Sequence, residues 1–321
     1  MTELTVIAPD GAGEVRRDDD LAAILVDLLG SATPLADGDV VLVTSKVVSK
    51  SEGQVLAGTR EESLLGETAR VVARRGPTRI VRTHHGFTLA AGGIDASNVA
   101  AGHVVLLPLD PDASARALRA RLRELTGRNV AVIVTDTAGR PWREGQTDLA
   151  VGAAGLRVLE DFTGRQDDYG NDLVITAPAV ADELAAAAEL AQGKLGARPF
   201  AVVRGRADLV LAEDDPGPGA AALVRPEGND MFGWGAREAV LRALRGDPAD
   251  RAPFGGAASV AEMTEALTAL AGTEPEPDGA GLQLTGSTVS AEAVRALAFA
   301  HGWTVATGPG GGRLGLQPTH P

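Results

Sequence analysis

The chain has 321 residues, of which 44% are hydrophobic and 23% charged, enough to bury a substantial core and to fold as more than one domain. Its 43 acidic against 30 basic residues give a formal net charge of −13, which argues against nonspecific nucleic-acid and anionic-membrane partners, since both select a positive surface. The absence of cysteine removes disulfides, thiol catalysis and every cysteine metal site, and an aromatic content of 3% leaves Ala, Val and Leu to fill the core.

In chain order, DDLAAILVDLLG (19–30) sets apolar residues at helical spacing between an acidic start and a glycine stop. VVLVT (40–44) reads as a buried strand running on into SKVVSKSEGQV. The two Ser-Lys pairs there suit phosphate oxygens, one side chain supplying charge and the other a hydrogen bond. Lysines on a solvated strand edge are the structural alternative. EESLLGETARVVARR (61–75) reads as a helix, and TRIVRT and FTLAAGGI read as strands flanking His84-His85-Gly86. In AAGGIDASNV (90–99), Gly92-Gly93 lets the backbone approach a ligand while Asp95 and Asn98 present oxygen ligands. An Asx turn or a helix cap explains the same residues equally well. HVVLLP (103–108) reads as a strand and DASARALRARLRELTG (112–127) as a helix stopped by Gly127.

NVAVIVTDTAGRPWREGQTD (129–148) begins as an apolar strand that stops on Thr135-Asp136-Thr137 and breaks into a polar loop. Asp136 with Thr137 offers the ligand types that Mg²⁺ or Mn²⁺ prefers, and Arg140 and Arg143 can meet phosphate or carboxylate in a bidentate way. A turn capped by the Asp side chain is the alternative. VADELAAAAELAQGKL (180–195) reads as a helix and PFAVVRG (199–205) as a strand. RADLVLAEDDPGPGAA (206–221) reads as a glycine-proline loop carrying Glu213, Asp214 and Asp215.

The five histidines show no metal-ligand spacing, no serine sits in a nucleophile elbow, and no glycine-rich phosphate loop follows the first strand. Helices and strands alternate without the even spacing of a doubly wound sheet, so an α+β class is expected. From Gly246 the texture turns to GDPADRAPFGG, TEPEPDGAG and GPGGGRLG, with weak helical patterns only near 259–271 and 290–300. The expected division is therefore a catalytic domain at 1–245 and a small, partly mobile C-terminal module at 246–321 whose role is unreadable. No apolar run reaches membrane-spanning length and the amino terminus lacks a signal-peptide pattern, so a cytoplasmic location is expected. Carboxylates for hard cations beside lysines and arginines for phosphate fit phosphoryl transfer from a nucleotide. A nucleotide-binding protein without turnover is the rival reading.

VTSKVVSKSEGQV, GGIDASNV, VTDTAGRPWREGQTDLAVGAAGL, DDYGNDL, ADELAAAAELAQGKL and VVRG stand in the order found in the coenzyme F420:L-glutamate ligase family. The chain resembles that family from about Leu4 to about Trp234, and most of all its actinobacterial branch. The resemblance implies a GTP-dependent ligase that adds L-glutamate to coenzyme F420-0 through an acyl phosphate and then adds further γ-linked glutamates. It also implies two divalent cations (Mg²⁺ or Mn²⁺), with a monovalent cation such as K⁺ as a further candidate. The implied fold is two unlike α+β subdomains in an intertwined homodimer, here with a small C-terminal appendage.

Carried over by position, Asp95 and Asp136 resemble the carboxylates of a first metal and Thr137 a ligand of a second, and Asp95, Asp136 and Lys50 form the implied catalytic set. Ala12, Gly13, Glu14, Val15, Ser45, Lys50 and Asn98 resemble the GTP-contacting positions. In the family a loop after the VVRG strand closes on GTP and completes the second metal site. That loop is diverged here, which leaves Asp208, Glu213, Asp214 and Asp215 as alternatives. Relatives in the same branch carry a nitroreductase-like flavin domain after the ligase. The segment after Arg245 is too short for one, so the reductase function is expected to be absent from this chain.

Overall fold

The runs VVLVT and AVIVT carry no polar alternation, and the computed structural model, which describes residues 3–226, 228–307 and 313–319, shows why: both lie in a sheet covered on each face. The chain divides into two units, one comprising Met1–Val71 and Gly76–Val224, the other Val72–Arg75 and Arg225–Pro321. Each is a mixture of helices and strands.

The first unit contains β1 (Thr5–Ile7), α1 (Leu21–Leu29), β2 (Val40–Thr44), α2 (Ser45–Ser51), β3 (Val55–Ala57) and α3 (Arg60–Glu67). β4 (Thr68–Arg75) follows and ends in the second unit, and the chain returns as β5 (Thr78–Thr83), β6 (Thr88–Ala90), β7 (His103–Val105) and α4 (Pro111–Thr126). β8 (Ala131–Arg140), β9 (Arg143–Ala154), α5 (Val180–Gln192) and β10 (Phe200–Arg204) complete it. The central sheet has the order β1-β10-β2-β8-β9. Only β2 and β8 run parallel; the other neighbours are antiparallel.

Alternate residues of these strands feed two cores. Val41, Val43, Val132 and Val134 pack under α1 and α4, whereas Val40, Leu42, Ala131 and Ile133 pack under α5. α4 lies so close to β9 that a Cβ at Gly152 would stand 2.2 Å from the Pro111 carbonyl oxygen, so only glycine fits there. β3 pairs with β7 in a two-stranded antiparallel ladder, and β5 pairs antiparallel with β6 in another sheet.

Three expectations are corrected here. Ser45–Ser51 is a helix, not a continuing strand. The last rung of β2 is spent at Thr44, whose N–H donates to the Pro199 carbonyl, and beyond it Val48 reaches the core by helical winding. Residues 61–75 are not one helix. A capping box at Thr59 and Glu62 starts α3, and the β-branched run from Thr68 onward continues as β4. β8 does not stop at Thr137 but runs to Arg140, turns at Pro141-Trp142 and returns as β9, which the sequence reading missed. Arg140 and Arg143 face each other across that hairpin tip, with Arg140 bonded to the Glu144 carbonyl at 2.9 Å.

The second unit holds α6 (Ala236–Arg245), α7 (Val260–Ala271), β11 (Glu276–Asp278), β12 (Gly281–Thr285), α8 (Ala291–Ala300), β13 (Trp303–Thr307) and β14 (Arg313–Pro318). The expected helices at 259–271 and 290–300 are present, but the four antiparallel strands, in the order β11-β12-β14-β13, were not foreseen. Met263, Leu267, Leu282, Val294, Trp303 and Leu316 form a core around them, and the Trp303 indole donates to the Ala258 carbonyl at 2.8 Å. Thus the described part of the tail builds its own hydrophobic centre. Among the described residues no helix is long and apolar enough to cross a membrane.

Candidate active site

In an open sheet, ligands gather at the carboxyl ends of parallel strands, where chains leave in different directions and open a crevice. The β2–β8 pair supplies that end, at Thr44 and Thr135. A cleft of about 1430 Å³ opens beside it, and every residue lining it belongs to the first unit. Most of the residues singled out from the sequence meet there: Gly13, Glu14, Val15, Ser45, Lys50, Asp95, Asn98, Asp136 and Thr137 all line the cleft. Ala12 does not line it, but packs against the core beneath.

Strand parity sends Asp136 and Thr137 to opposite faces of the sheet end. Asp136 turns toward α2, where the Ser45 hydroxyl donates to its carboxylate at 2.9 Å. Burial pushes the Asp136 carboxyl up to about 7; the Ser45 bond opposes this, and the charges of Asp148 and Asp95 add to it. Lys46 and Lys50, one helical turn apart on α2, both reach the cleft. Lys46 contacts Asp95 at 2.6 Å and Lys50 contacts Glu14 at 2.6 Å. Lys50 is buried while its partner Glu14 is exposed. Burial acts to raise the Asp95 carboxyl, but Lys46 and two bonds from Ser97 outweigh it and hold the group below its ordinary value. The Ser97 N–H bond, at 2.8 Å, is an Asx turn, so that reading and cleft placement both hold for Asp95.

Thr137 turns toward α5. Its hydroxyl donates to buried Asp148 at 2.7 Å and accepts from Lys194 at 2.7 Å. Lys194 also touches Glu189 at 2.8 Å and Asp148 at 3.3 Å. Burial alone would lower the Lys194 ammonium, but these two carboxylates raise it. Asp148, Glu189, Gln192 and Lys194 were not singled out from the sequence. A signal was present for Gln192. The sheet-facing stripe Ala181, Leu184, Ala185, Ala188 ends one turn later on a buried glutamine where apolar spacing calls for another small hydrophobe. Asp148 needed the unforeseen β9, which sets it opposite Thr137.

Two other sequence expectations fall outside the cleft. Arg140 and Arg143 sit at the hairpin tip and do not line it. None of Asp208, Glu213, Asp214 or Asp215 lines it either. β10 is antiparallel to β2, so the chain leaves it beside Val40, at the other end of the sheet from Thr44. Arg119 then ties the loop to α4 by donating to the carbonyls of Ala212 and Asp215, while Glu213 pairs with Arg123 and Asp208 with Arg206.

Among the described residues, no three acidic or histidine side chains come together as a ready-made metal cage. The donor set still fits a hard cation that takes one or two carboxylates and completes its shell with water and substrate phosphate. Asp136 is a carboxylate whose charge is opposed by burial and by nearby acids, which a cation would relieve.

Comparison with known proteins identifies the family. The pattern of the family described as F420-0:Gamma-glutamyl ligase matches residues 11–60 and 59–205. Coenzyme F420:L-glutamate ligase of Methanothermobacter thermautotrophicus is 36% identical over 251 residues, covering 71% of this chain and 98% of the relative. The proteins of the same name from Methanopyrus kandleri and Archaeoglobus fulgidus are 38% and 39% identical, covering 68% and 62% of this chain and 93% and 87% of theirs. With its cleft residues inside the matched segments and its similarity spanning nearly the whole of such relatives, the chain belongs to the F420-0:γ-glutamyl ligase family.

Proposed function

We propose that this protein is a GTP-dependent ligase that joins L-glutamate to coenzyme F420-0 through an acyl-phosphate intermediate and then adds further γ-linked glutamates. The observation that carries the reading is the cleft itself, in which Asp95 and Asp136 stand beside the Lys46–Lys50 face of α2. A carboxylate is a poor electrophile, so amide formation needs a leaving group, and a nucleotide phosphate supplies one. In this reading the precursor's carboxylate oxygen attacks the γ-phosphorus and the bond to the β-phosphate oxygen breaks. The glutamate amine nitrogen then attacks the acyl carbon, phosphate leaves, and the amine sheds its protons.

Lys50 and Lys46 give up Glu14 and Asp95 to phosphate oxygens, exchanging one charged partner for another at little net electrostatic cost. Gly13 and Glu14, on an exposed turn, Ser45 and Asn98 complete the nucleotide contacts. Asp95, Asp136 and Thr137 are the residues that hold divalent cations, Mg²⁺ or Mn²⁺. When bound, such cations draw charge off the transferring phosphoryl group. A homodimer belongs to the same reading, supported by the exposure of Trp142, Tyr169 and Ile175 in the first unit.

Mass spectrometry of F420-0 incubated with the protein, GTP, Mn²⁺ and L-glutamate tests the reading directly. The expected products are F420-0 carrying one or more glutamyl additions together with GDP, formed only when both acceptor and glutamate are present. GDP release without acceptor, or no product, overturns it.

A further inference from the structure

Beside the Lys46–Lys50 face of α2, the cleft is also lined by Arg60 and Leu64 of α3, by Arg79 of β5, and by Leu89 and Ala90 of β6. The Thr59–Glu62 capping box fixes where α3 begins and makes Arg60 its first residue. Leu64, four residues on, lies on the same side of the helix and is buried. The first turn of α3 therefore offers the cleft a cation above an apolar wall.

Nearly every charge in the cleft has a close partner. Lys50 is paired with Glu14, Arg79 with Glu61 at 2.9 Å, and Lys194 with Asp148 and Glu189. Arg198 is held by Asp10 at 2.6 Å, and Asp136 accepts from the Ser45 hydroxyl. Asp95 differs, with two cations against one carboxylate: Lys46 at 2.6 Å from one oxygen and Arg60 at 3.8 Å from the other. That second distance is past hydrogen-bond length, and among the described residues the Arg60 guanidinium makes no hydrogen bond. Its side chain is 49% exposed, so a flat fork of N–H donors stands open at the edge of the cleft.

Two considerations choose the ligand. A guanidinium recognises flat oxyanions through parallel N–H bonds. In phosphoryl transfer the attacking and leaving oxygens stand roughly in line, on opposite sides of the phosphorus. Lys46 and Arg60 approach opposite oxygens of Asp95, so a nucleotide held on α2 leaves Arg60 facing the side of attack. In amide ligation the attacking oxygen belongs to a carboxylate.

We propose that Arg60 binds the carboxylate of the acceptor and aims the oxygen that attacks the γ-phosphorus. This rests on the ligase reading above, in which that oxygen bonds to phosphorus as the bond to the β-phosphate oxygen breaks. The grip takes one lone pair of each carboxylate oxygen and leaves the others for attack. Arg60 has only a long contact with Asp95 to give up, and Lys46 remains beside that carboxylate. Leu64, Leu89 and Ala90 wall the space that the rest of the acceptor enters.

The test is a calorimetric titration of wild type and Arg60→Met with F420-0 and with its carboxylate methyl ester, in the presence of Mn²⁺ and a non-hydrolysable GTP analogue. Wild type should bind the acid about ten- to a hundredfold more tightly than the ester, and Arg60→Met should bind the two within about twofold. In turnover the KM for F420-0 should rise about ten- to a hundredfold in Arg60→Met, with the KM for GTP and the Mn²⁺ requirement unchanged. An ester that binds wild type as tightly as the acid overturns the proposal, whether or not the variant folds. So does an Arg60→Met protein that keeps the full preference for the acid. A variant that keeps its affinity for F420-0 while its GTP KM or Mn²⁺ requirement rises also overturns it, and makes Arg60 a support for Asp95. If wild type forms no glutamylated product, the ligase reading fails and this inference with it. If wild type is active but binds acid and ester alike, only the inference fails.

Discussion

The two faces of the central sheet end in different ways. On the α2 side the charged groups of the cleft have already found one another: Lys46 with Asp95, Lys50 with Glu14, and Asp136 with the Ser45 hydroxyl. On the α5 side, Thr135 and Gln192 keep unmatched polar atoms beside the Asp148–Lys194–Glu189 ion cluster. The contrast shows how one strand can carry two different polar environments on its two faces. Successive residues of β8 alternate between the faces, so Asp136 turns toward α2 and its neighbours Thr135 and Thr137 toward α5.

The largest expected effect tests the α2 side. Asp136→Asn keeps the shape and removes the charge that a hard cation needs, so glutamyl transfer should fall by about a thousandfold or more while the circular dichroism spectrum is retained. Rates near wild type at low Mn²⁺ would remove Asp136 from the site. Next in size is Lys50→Met, which keeps the buried stem and deletes the ammonium. Losing a charge-assisted contact costs about 1.5–3 kcal/mol, or roughly ten- to a hundredfold in kcat/KM for GTP. A kcat/KM for GTP within about twofold of wild type would show that the Lys50 ammonium does not meet the nucleotide. On the α5 side, Glu189→Gln removes one of the two carboxylates that hold Lys194, and should lower the melting temperature only slightly, as expected of a partly exposed ion pair.

The smallest effect is one of stability. The folded-state value of Asp136, about 7, lies above the ordinary 3.8, so the folded protein holds this proton more tightly than the unfolded chain does. The group's stabilising contribution is therefore fully present below about 3.8 and is lost as pH rises through about 7. In metal-free protein, Asp136→Asn should melt above wild type at pH 8, and the gap should close toward pH 5. Calorimetric scans at the two pH values decide it, and an equal gap at both would show that Asp136 is an ordinary carboxylate.

Much of the first unit could be read before folding. Helices were read at 19–30 and 112–127, both with glycine stops, and at 180–195, and each is present within a few residues. The cleft residues were legible as motifs because Ser45, Lys50, Asp95, Asp136 and Thr137 lie in long ordered segments that resemble one family. What failed was local continuity. SKVVSK offers β-branched residues that suit a strand, yet the sheet has no rung to offer beyond Thr44, and the segment winds into α2. That change sets Lys46 and Lys50 one helical turn apart, both reaching the cleft. The second unit misled in another way. Its glycines and prolines look like low-complexity tail, but Leu282, Leu284, Leu314 and Leu316 alternate over short strands that only their mutual pairing makes stable.

Composition, periodicity and motif order were enough to establish the mixed α+β class, the principal helices of the first unit, the family, and which carboxylates and lysines meet in the cleft. Those properties are local: they depend on residue type and on spacing within a few turns or rungs. The facing of Asp136 and Thr137, the pairing of Asp148 with Thr137, and the unmatched oxygens of Thr135 and Gln192 depend on residues brought together from distant parts of the chain. So does the departure of residues 206–221 from the end of the sheet remote from the cleft. An antiparallel β10 sends that loop away, and no spacing within the loop records the direction of the strand before it.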